Sequence, residues 1–395
     1  MRIALFYTDT ESFNFFTDQL EHEFKKRGHE TFIWDLMAPP DEGPHSKANF
    51  MTFASTRVDA AVCFDGMCIR HEVLIEFWDA WGTIVIDILM DPPLRFHPTL
   101  EKHPKNYILF CCDIDHVDYV RKYFKDDVPH VAFMPHVGAN LKPNSPLIPY
   151  AERKYDILFS ATYYSPESKL TEMELIFAEN KLMQQFYHLM YQNMIENCSL
   201  TTEQALFFTL EQTGLSVPDD TLRIIFRFSE YVDWAIRMYQ RSQVVSSLAE
   251  SGLELYLLGR GWENHSSAKY PNVHRIADRV PYAQSLSVMA EAKINLNVFP
   301  WFKAGTHDRI FNTLLQRSLP LTDSSRWVNN YFTNGKDIVL FDLKHLEQLP
   351  EIANRMLKDS ERAEHIIQNG YEKVRQNLTW SNCADWILLA AMQNF

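Results

Sequence analysis

Tyr155-Asp156-Ile157-Leu158-Phe159-Ser160 is a short apolar run with β preference that ends on a small polar residue, and 253–258, Leu-Glu-Leu-Tyr-Leu-Leu, is another. Runs of this length and composition suit strands covered on both faces. Between them, residues from about 167 to 250 carry helical periodicity. Beyond them, strands are expected at 273–276, 294–298, 319–322 and 337–341, with helices near 284–292, 308–316 and 346–357. Strands that alternate with helices imply βαβ crossovers and a parallel sheet.

The amino-terminal third repeats the pattern. Strands are expected at 3–7, 31–34, 60–64, 83–89, 107–112 and 130–134. Phe13, Phe16, Leu20 and Phe24 mark one face of a helix over 13–26, and a second helix covers 117–124. Between the two alternating regions, Pro143, Asn144, Ser145, Pro146 and Pro149 crowd turn formers into one segment, which reads as a linker over 143–154. The expected fold class is α/β, two Rossmann-like domains facing across a cleft. One domain covers 1–142, the other 155–379 with a helical insertion at 167–250, and a terminal helix at 380–395 packs back on the domain junction. Ligand sites belong at the carboxyl ends of the strands.

Composition narrows the functional classes. Lys and Arg number 38 against 51 Asp and Glu, a formal charge of −13, which argues against a strongly basic nucleic-acid-binding protein. Apolar residues at 46% and charged residues at 23% are ordinary for a globular chain, and the length exceeds what one core usually serves. Asp87 and Asp91 interrupt one apolar stretch and 386–392 is too short to span a bilayer. Met1-Arg2-Ile3-Ala4-Leu5 runs straight into a strand pattern without a secretory h-region, so a cytoplasmic location is expected. None of the six cysteines forms a C-x-x-C pair, and they read as reduced and mostly buried. The single G-x-G, Gly259-Arg260-Gly261, gives neither a Walker A loop nor a dinucleotide fingerprint.

The segment 294–312 carries the most chemistry. A strand delivers a loop with Lys303 and Gly305, and Thr306 is placed to cap a helix whose apolar face begins at Ile310, Phe311, Leu314 and Leu315. Free backbone N–H groups there, with Lys303 and Arg309 beside them, would make a diphosphate receptor. Asn312, one turn further in, could reach ribose hydroxyls. A capped surface helix with Arg309 paired to Asp308 would use the same residues.

The run Arg241-Ser242-Gln243-Val244-Val245-Ser246-Ser247-Leu248 is followed by Gly252, by Leu257-Leu258-Gly259-Arg260-Gly261-Trp262 and by Ala292-Lys293-Ile294-Asn295-Leu296-Asn297. Gly305, Arg309-Ile310-Phe311-Asn312, Leu321-Thr322-Asp323 and Phe332-Thr333-Asn334-Gly335-Lys336-Asp337-Ile338 complete the set. Together these residues resemble the carboxy-terminal domain of the spore-maturation-type (CgeB-like) family of bacterial glycosyltransferases. The resemblance covers roughly 241–345, and the amino-terminal third only through strand order and the Asp91-Pro92-Pro93 loop. It implies the GT-B architecture, with a nucleotide-sugar in the second domain and the acceptor in the first. Carried over by position, Gly305, Thr306 and Arg309 would meet the donor diphosphate, Asn312 the ribose, and Gly259 with Arg260 the nucleotide or its phosphates.

Three positions depart from that pattern. Asn312 stands where the family usually has Asp or Glu, so the contact to ribose carries no charge. Ser318 replaces a helix-ending glycine. Ala304 occupies the position of a Glu found in related retaining enzymes, so no carboxylate acts there.

What the resemblance implies is a glycosyltransferase moving a hexose or N-acetylhexosamine from a nucleoside diphosphate sugar, most plausibly UDP-linked, to a glycan, lipid-linked or protein acceptor. Fixed donors and cations can stabilise a leaving nucleoside diphosphate without a metal, so no cofactor or metal site is expected. Asp113-Ile114-Asp115 suggests a D-x-D metal site, but capping of the following helix accounts for it more simply. An inverting reaction would need a base from the first domain. Asp91 and Glu11 are the leading candidates, ahead of Asp9, Asp65, His97 and His136, while a retaining reaction would leave them as acceptor-binding groups. Trp262 and Trp301 could stack on base or sugar. Nothing in 167–250 points to chemistry. A nucleotide-sugar epimerase on the same fold and a non-catalytic two-domain sugar-binding protein are the alternatives. No lysine context suits a pyridoxal-phosphate phosphorylase.

Overall fold

The computed structural model describes residues 1–141, 147–299 and 301–393, without the side chains of Asp219 and Asp220. Lys142 at the end of the expected first domain, Pro143, Asn144, Ser145 and Pro146 at the start of the expected linker, and Pro300 lie outside the described residues.

The chain forms two compact units. The first combines Met1–Ala139 with Gln376–Phe395, and the second is Asn140–Arg375. In the first, β1 (Arg2–Tyr7), β2 (Glu30–Asp35), β3 (Ala60–Phe64), β4 (Ile84–Leu89), β5 (Tyr107–Cys111) and β6 (Val131–Phe133) lie in the order β2-β1-β3-β4-β5-β6, every pairing parallel. Every residue of β3, β4 and β5 is buried. That is why these strands read as unbroken apolar runs rather than as alternating ones. The exception is Asp87, which sits inside β4 with its carboxylate accepting from Gly66 N–H at 2.8 Å and from the Tyr107 hydroxyl at 2.8 Å. Burial pushes its pKa up to about 6 despite those donors. The helices of this unit are α1 (Glu11–Lys26), α2 (Lys47–Phe53), α3 (Glu72–Trp81), α4 (His97–Glu101) and α5 (Ile114–Tyr123).

The second unit carries β7 (Tyr155–Ser160), β8 (Leu255–Leu258), β9 (Val273–Ala277), β10 (Ala292–Asn297), β11 (Leu319–Thr322) and β12 (Val339–Leu340) in the order β12-β11-β10-β7-β8-β9, again all parallel. The expected long helical stretch is five helices, α6 (Pro166–Ile176), α7 (Lys181–Glu196), α8 (Thr202–Thr213), α9 (Asp219–Phe228) and α10 (Glu230–Glu250). Then come α11 (Tyr282–Ala290), α12 (Asp308–Leu315), α13 (Arg326–Tyr331), α14 (Leu349–Lys358) and α15 (Ser360–Asn377). Ile157, Phe159, Leu257, Ile294, Leu296 and Leu321 from the strands pack with Val244, Leu248, Ala353 and Ile366 from the helices in one core.

Two boundaries differ from the sequence expectation. Tyr150 is buried, its hydroxyl donating to Met356 O at 3.2 Å, and Arg153 Nη1 donates to Ala292 O at 3.0 Å, so 150–153 is part of the second unit and not a free linker. The terminal helix α16 (Trp380–Gln393) belongs to the first unit, where it packs on α1. Trp380 lies 4.9 Å from the Phe16 ring, and Arg27 Nε is 2.8 Å from Asp385 Oδ1. Apolar residues of the first helix and the last close one face together.

Candidate functional site

In the second sheet the strand order reverses between β7 and β10, because β8 and β9 extend to one side of β7 and β10 to β12 to the other. Loops leaving neighbouring strands there part in opposite directions and open a crevice. A cavity of about 550 Å³ occupies that place, walled by Ser160, Ala161 and Thr162 after β7, Leu258 and Gly259 at β8, and Arg279 and Val280 after β9. Tyr164 from the loop after β7, Tyr282, Ser285 and Met289 of α11, Asp308 and Arg309 of α12, and Trp234, Arg237, Met238 and Arg241 of α10 line the rest.

Four arginines and one aspartate thus line one cavity. Arg309 is fixed by a bond from Nη1 to Asn297 Oδ1 at 2.5 Å, over the Phe159 ring at 5.9 Å, and burial lowers its pKa while Asp308 opposes that shift. Arg241 Nη1 donates to Thr162 O at 2.8 Å. Arg237 lies 4.0 Å from the centre of the Trp301 ring and 5.0 Å from that of Trp234, and the two indoles meet edge to face. Such stacking holds a guanidinium plane in place. Asp308 accepts from the Tyr282 hydroxyl at 2.5 Å, and burial next to that carboxylate raises the Tyr282 pKa well above the ordinary value.

The β8 exit is shaped by glycine. Gly259 has φ +140°, and a Cβ there would collide with the Ala161 carbonyl oxygen. That carbonyl accepts from Trp262 Nε1 at 2.6 Å, so it is held where a side chain at 259 would need to be. The glycine lets two loops touch and keeps the cavity open above them.

Of the residues that the sequence suggests for the donor, Arg309 and Gly259 line this cavity and the others do not. The residue at the cap of α12 is His307, whose Nδ1 lies 3.3 Å from Arg309 N, one position later than the expected Thr306. Thr306 is fully buried, and the Gly305 carbonyl accepts from Ser325 Oγ at 2.6 Å. Lys303 Nζ lies 3.4 Å from Phe299 O and beside Asp323, a buried carboxyl pushed up to about 7 that accepts from Phe299 N–H at 2.6 Å. Asn312 turns inward and donates to the Tyr282 hydroxyl at 2.9 Å and to Asp308 Oδ2 at 3.2 Å. Arg260 is exposed. Trp262 is buried against Phe159 and Tyr163, and so packs in the core instead of offering a face to base or sugar.

The helical stretch, in which the sequence shows no chemistry, supplies half of the guanidiniums. The available signal is the spacing of Trp234, Arg237, Met238 and Arg241, which puts two cations on one face of a helix that is otherwise largely buried. Arg279 gives no signal, since a lone arginine after a short strand looks like any surface charge.

The first unit holds the candidates for the acceptor side. Asp91, one-third exposed, pairs with Arg95 Nη1 at 3.1 Å. Glu11 sits in the first turn of α1. Asp65, in the turn that follows β3 with φ +50°, accepts from Met90 N–H at 2.8 Å, and burial together with the neighbouring Asp91 raises its pKa well above the carboxylate range. His97 is buried with Nε2 2.7 Å from the Tyr119 hydroxyl. Asp113 caps α5 by accepting from Asp115 N–H at 2.7 Å. Among the described residues, no group of three or more His, Cys, Asp or Glu side chains is placed to hold a metal ion, and no helix is long and apolar enough to cross a membrane.

Residues 240–388 match a family model described as "Glycosyl transferase-like". No curated protein matches the sequence. Similar solved structures include the sucrose-phosphate synthase of Thermosynechococcus elongatus, with 10% identity and TM-score 0.57 over 100% of this chain and 98% of that one. The Anabaena protein HepE in complex with UDP-glucose gives 8% identity and TM-score 0.52 over 99% and 100%. An alpha-glucosyltransferase in complex with UDP and a DNA 13-mer containing an HMU base gives 12% and 0.58 over 99% of each chain. The likeness is one of fold, two Rossmann-like domains of the kind that make up GT-B glycosyltransferases.

Proposed function

We propose that the chain is a glycosyltransferase of the spore-maturation type, which moves a hexosyl or N-acetylhexosaminyl group from a UDP-linked donor to a glycan, lipid-linked or protein acceptor. The observation that carries this reading is the cavity at the β7/β10 reversal, which Arg237, Arg241, Arg279 and Arg309 line. A nucleoside diphosphate is the ligand whose charge suits such a wall. As the sugar leaves, negative charge grows on the departing diphosphate, and guanidiniums already in place stabilise it without reorganising. Further support comes from the matching family model and from the UDP and UDP-glucose named with the similar structures. Asp308 and Tyr282 line the cavity and hold Asn312, the residue that the sequence assigns to the ribose, outside its wall.

The deciding experiment is UDP binding by calorimetry, followed by incubation with UDP-sugars and detection of released UDP. Binding with transfer or slow donor hydrolysis supports the reading, and absence of UDP binding ends it. Excess EDTA is expected to leave turnover nearly intact. Its abolition, with recovery on adding Mn²⁺, would return attention to Asp113 and Asp115.

On the acceptor side Asp91 is the base we favour over Glu11, because its carboxylate is both oriented by Arg95 and still reachable. Asp91→Asn is expected to lower kcat about a hundredfold or more, within the span that a positioned base contributes. UDP binding, measured on the same sample, should be retained. A loss confined to UDP affinity would remove Asp91 from this role.

A further inference from the structure

The helix α10 walls more than the donor cavity. Trp234, Arg237, Met238 and Arg241 line that one, whereas Tyr239, Gln240 and Gln243 line a second cavity of about 400 Å³. At 3.6 residues per turn the two sets point about half a turn apart around the helix axis, so the helix stands between the cavities. The rest of the second wall includes Glu196 and Cys198 at the end of α7 and Lys344 in the segment after β12. That segment is tied to α10, since Ser247 Oγ donates to Leu346 O at 2.8 Å, and the Tyr191 ring of α7 meets Tyr239 edge to face at 6.3 Å.

Its chemistry differs from that of the donor cavity. Among the described residues at this wall, Glu196 and Lys344 are the charged ones, and their charges cancel. Burial raises the pKa of the Cys198 thiol, although Lys303 and Lys344 oppose the shift, and the thiol is therefore neutral at pH 7. A phosphate finds no cluster of cations here. The wall offers amide and phenol groups that donate as well as accept, a carboxylate that only accepts and an ammonium that only donates. Hydroxyl groups match such a set, because each of them does both.

Gln240 gives the strongest sign of a ligand. The residue is only 4% exposed, and its Oε1 has no hydrogen-bond partner among the described residues. A buried amide left unpaired costs stability. A half-turn about the last side-chain bond exchanges Oε1 with Nε2, so the amide is able to meet either a donor or an acceptor that enters the cavity. A volume of about 400 Å³ lies within the range of small-ligand sites and admits a sugar ring.

We propose that this cavity is a second binding site, one for a neutral saccharide, whose hydroxyl groups pair with Gln240, Gln243 and Glu196 while Tyr239 borders the apolar face of the ring. The site goes beyond the nucleotide-sugar reading and does not depend on what fills the donor cavity. Its saccharide is either a free sugar or one unit of a longer glycan.

Cys198 is the reporter. It is partly exposed at this wall and the other five cysteines are buried, so iodoacetamide applied to the folded full chain alkylates Cys198 first. Mass spectrometry follows that rate with glucose, N-acetylglucosamine, maltotriose or chitotriose present, and with glycerol as the control. A bound sugar slows alkylation about threefold at twice its dissociation constant. A free-sugar source predicts that a monosaccharide protects as well as its trimer, and a glycan source predicts that the trimer protects at a concentration at least about tenfold lower. Gln240→Leu, with a melting temperature that shows it folded, is expected to lose most of the protection. Gln243→Ala, at an exposed position, takes its place if Gln240→Leu does not fold. If no sugar slows the reaction, if glycerol slows it equally, or if protection survives in the folded variant, the proposal falls. UDP titrated into the same samples keeps the two readings apart. Binding of UDP without protection by sugar overturns this site alone, and protection without binding of UDP overturns the nucleotide reading alone.

Discussion

Replacing Arg309 by alanine raises the dissociation constant for UDP at least about a hundredfold, near 3 kcal/mol, the scale of a charge-assisted hydrogen bond removed from a desolvated site. The reason is local. Arg309 is held at its place by Asn297 and by the Phe159 ring, so its guanidinium meets a ligand already oriented, and no neighbouring side chain can swing in to replace it without breaking its own interactions. Arg241 is bonded to Thr162, and Arg237 lies against the Trp301 and Trp234 rings. Arg309→Lys restores little of the affinity, because an ammonium cannot reproduce a planar fork. Calorimetry with UDP, on variants whose melting temperature shows them folded, decides the point. Unchanged affinity in folded Arg309→Ala would contradict the placement of the diphosphate.

Gly259→Ala is expected to be the most damaging small substitution at the cavity. The added methyl group meets the Ala161 carbonyl, which Trp262 holds in place, and the residue also stands at φ +140°. Either the loop after β7 or the exit from β8 must move, at a cost of roughly 3 kcal/mol or more. For a unit of this size that lowers the melting temperature by about 6 to 12 °C. Gly43→Ala is the control: φ is positive there too, at +83°, but a Cβ meets nothing within 4 Å, so the change costs only about 1 kcal/mol. Calorimetric scans of the two variants side by side separate collision from backbone preference. Equal melting of Gly259→Ala and the parent would mean that the two loops do not touch as described.

The strands are legible for a simple reason. A parallel strand buried on both faces needs apolar residues at nearly every position, and 60–64, 84–89 and 155–160 show that need without any partner in view. The crevice follows from strand order alone. What cannot be read is which polar residues turn toward it. Thr306 and His307 are both able to cap a helix, and only the path of the chain decides that His307 does so and that Thr306 is buried. Asn312 has the spacing of a ligand contact but is taken by Tyr282, thirty residues earlier in the chain, a pairing that depends on how α11 packs beside α12. Arg237 and Arg241 belong to a helix that precedes β8 by several residues, and their role depends on which way that helix runs across the sheet.

The return of the last residues to the first unit has a consequence for how the protein is made. The helix Trp380–Gln393 covers α1, yet more than two hundred residues of the second unit are synthesised before it. A ribosome adding about 5 to 20 residues per second leaves the face of α1 near Phe16 uncovered for tens of seconds. The unit translated first is thus completed last, and that apolar surface is where a nascent-chain chaperone has something to shield.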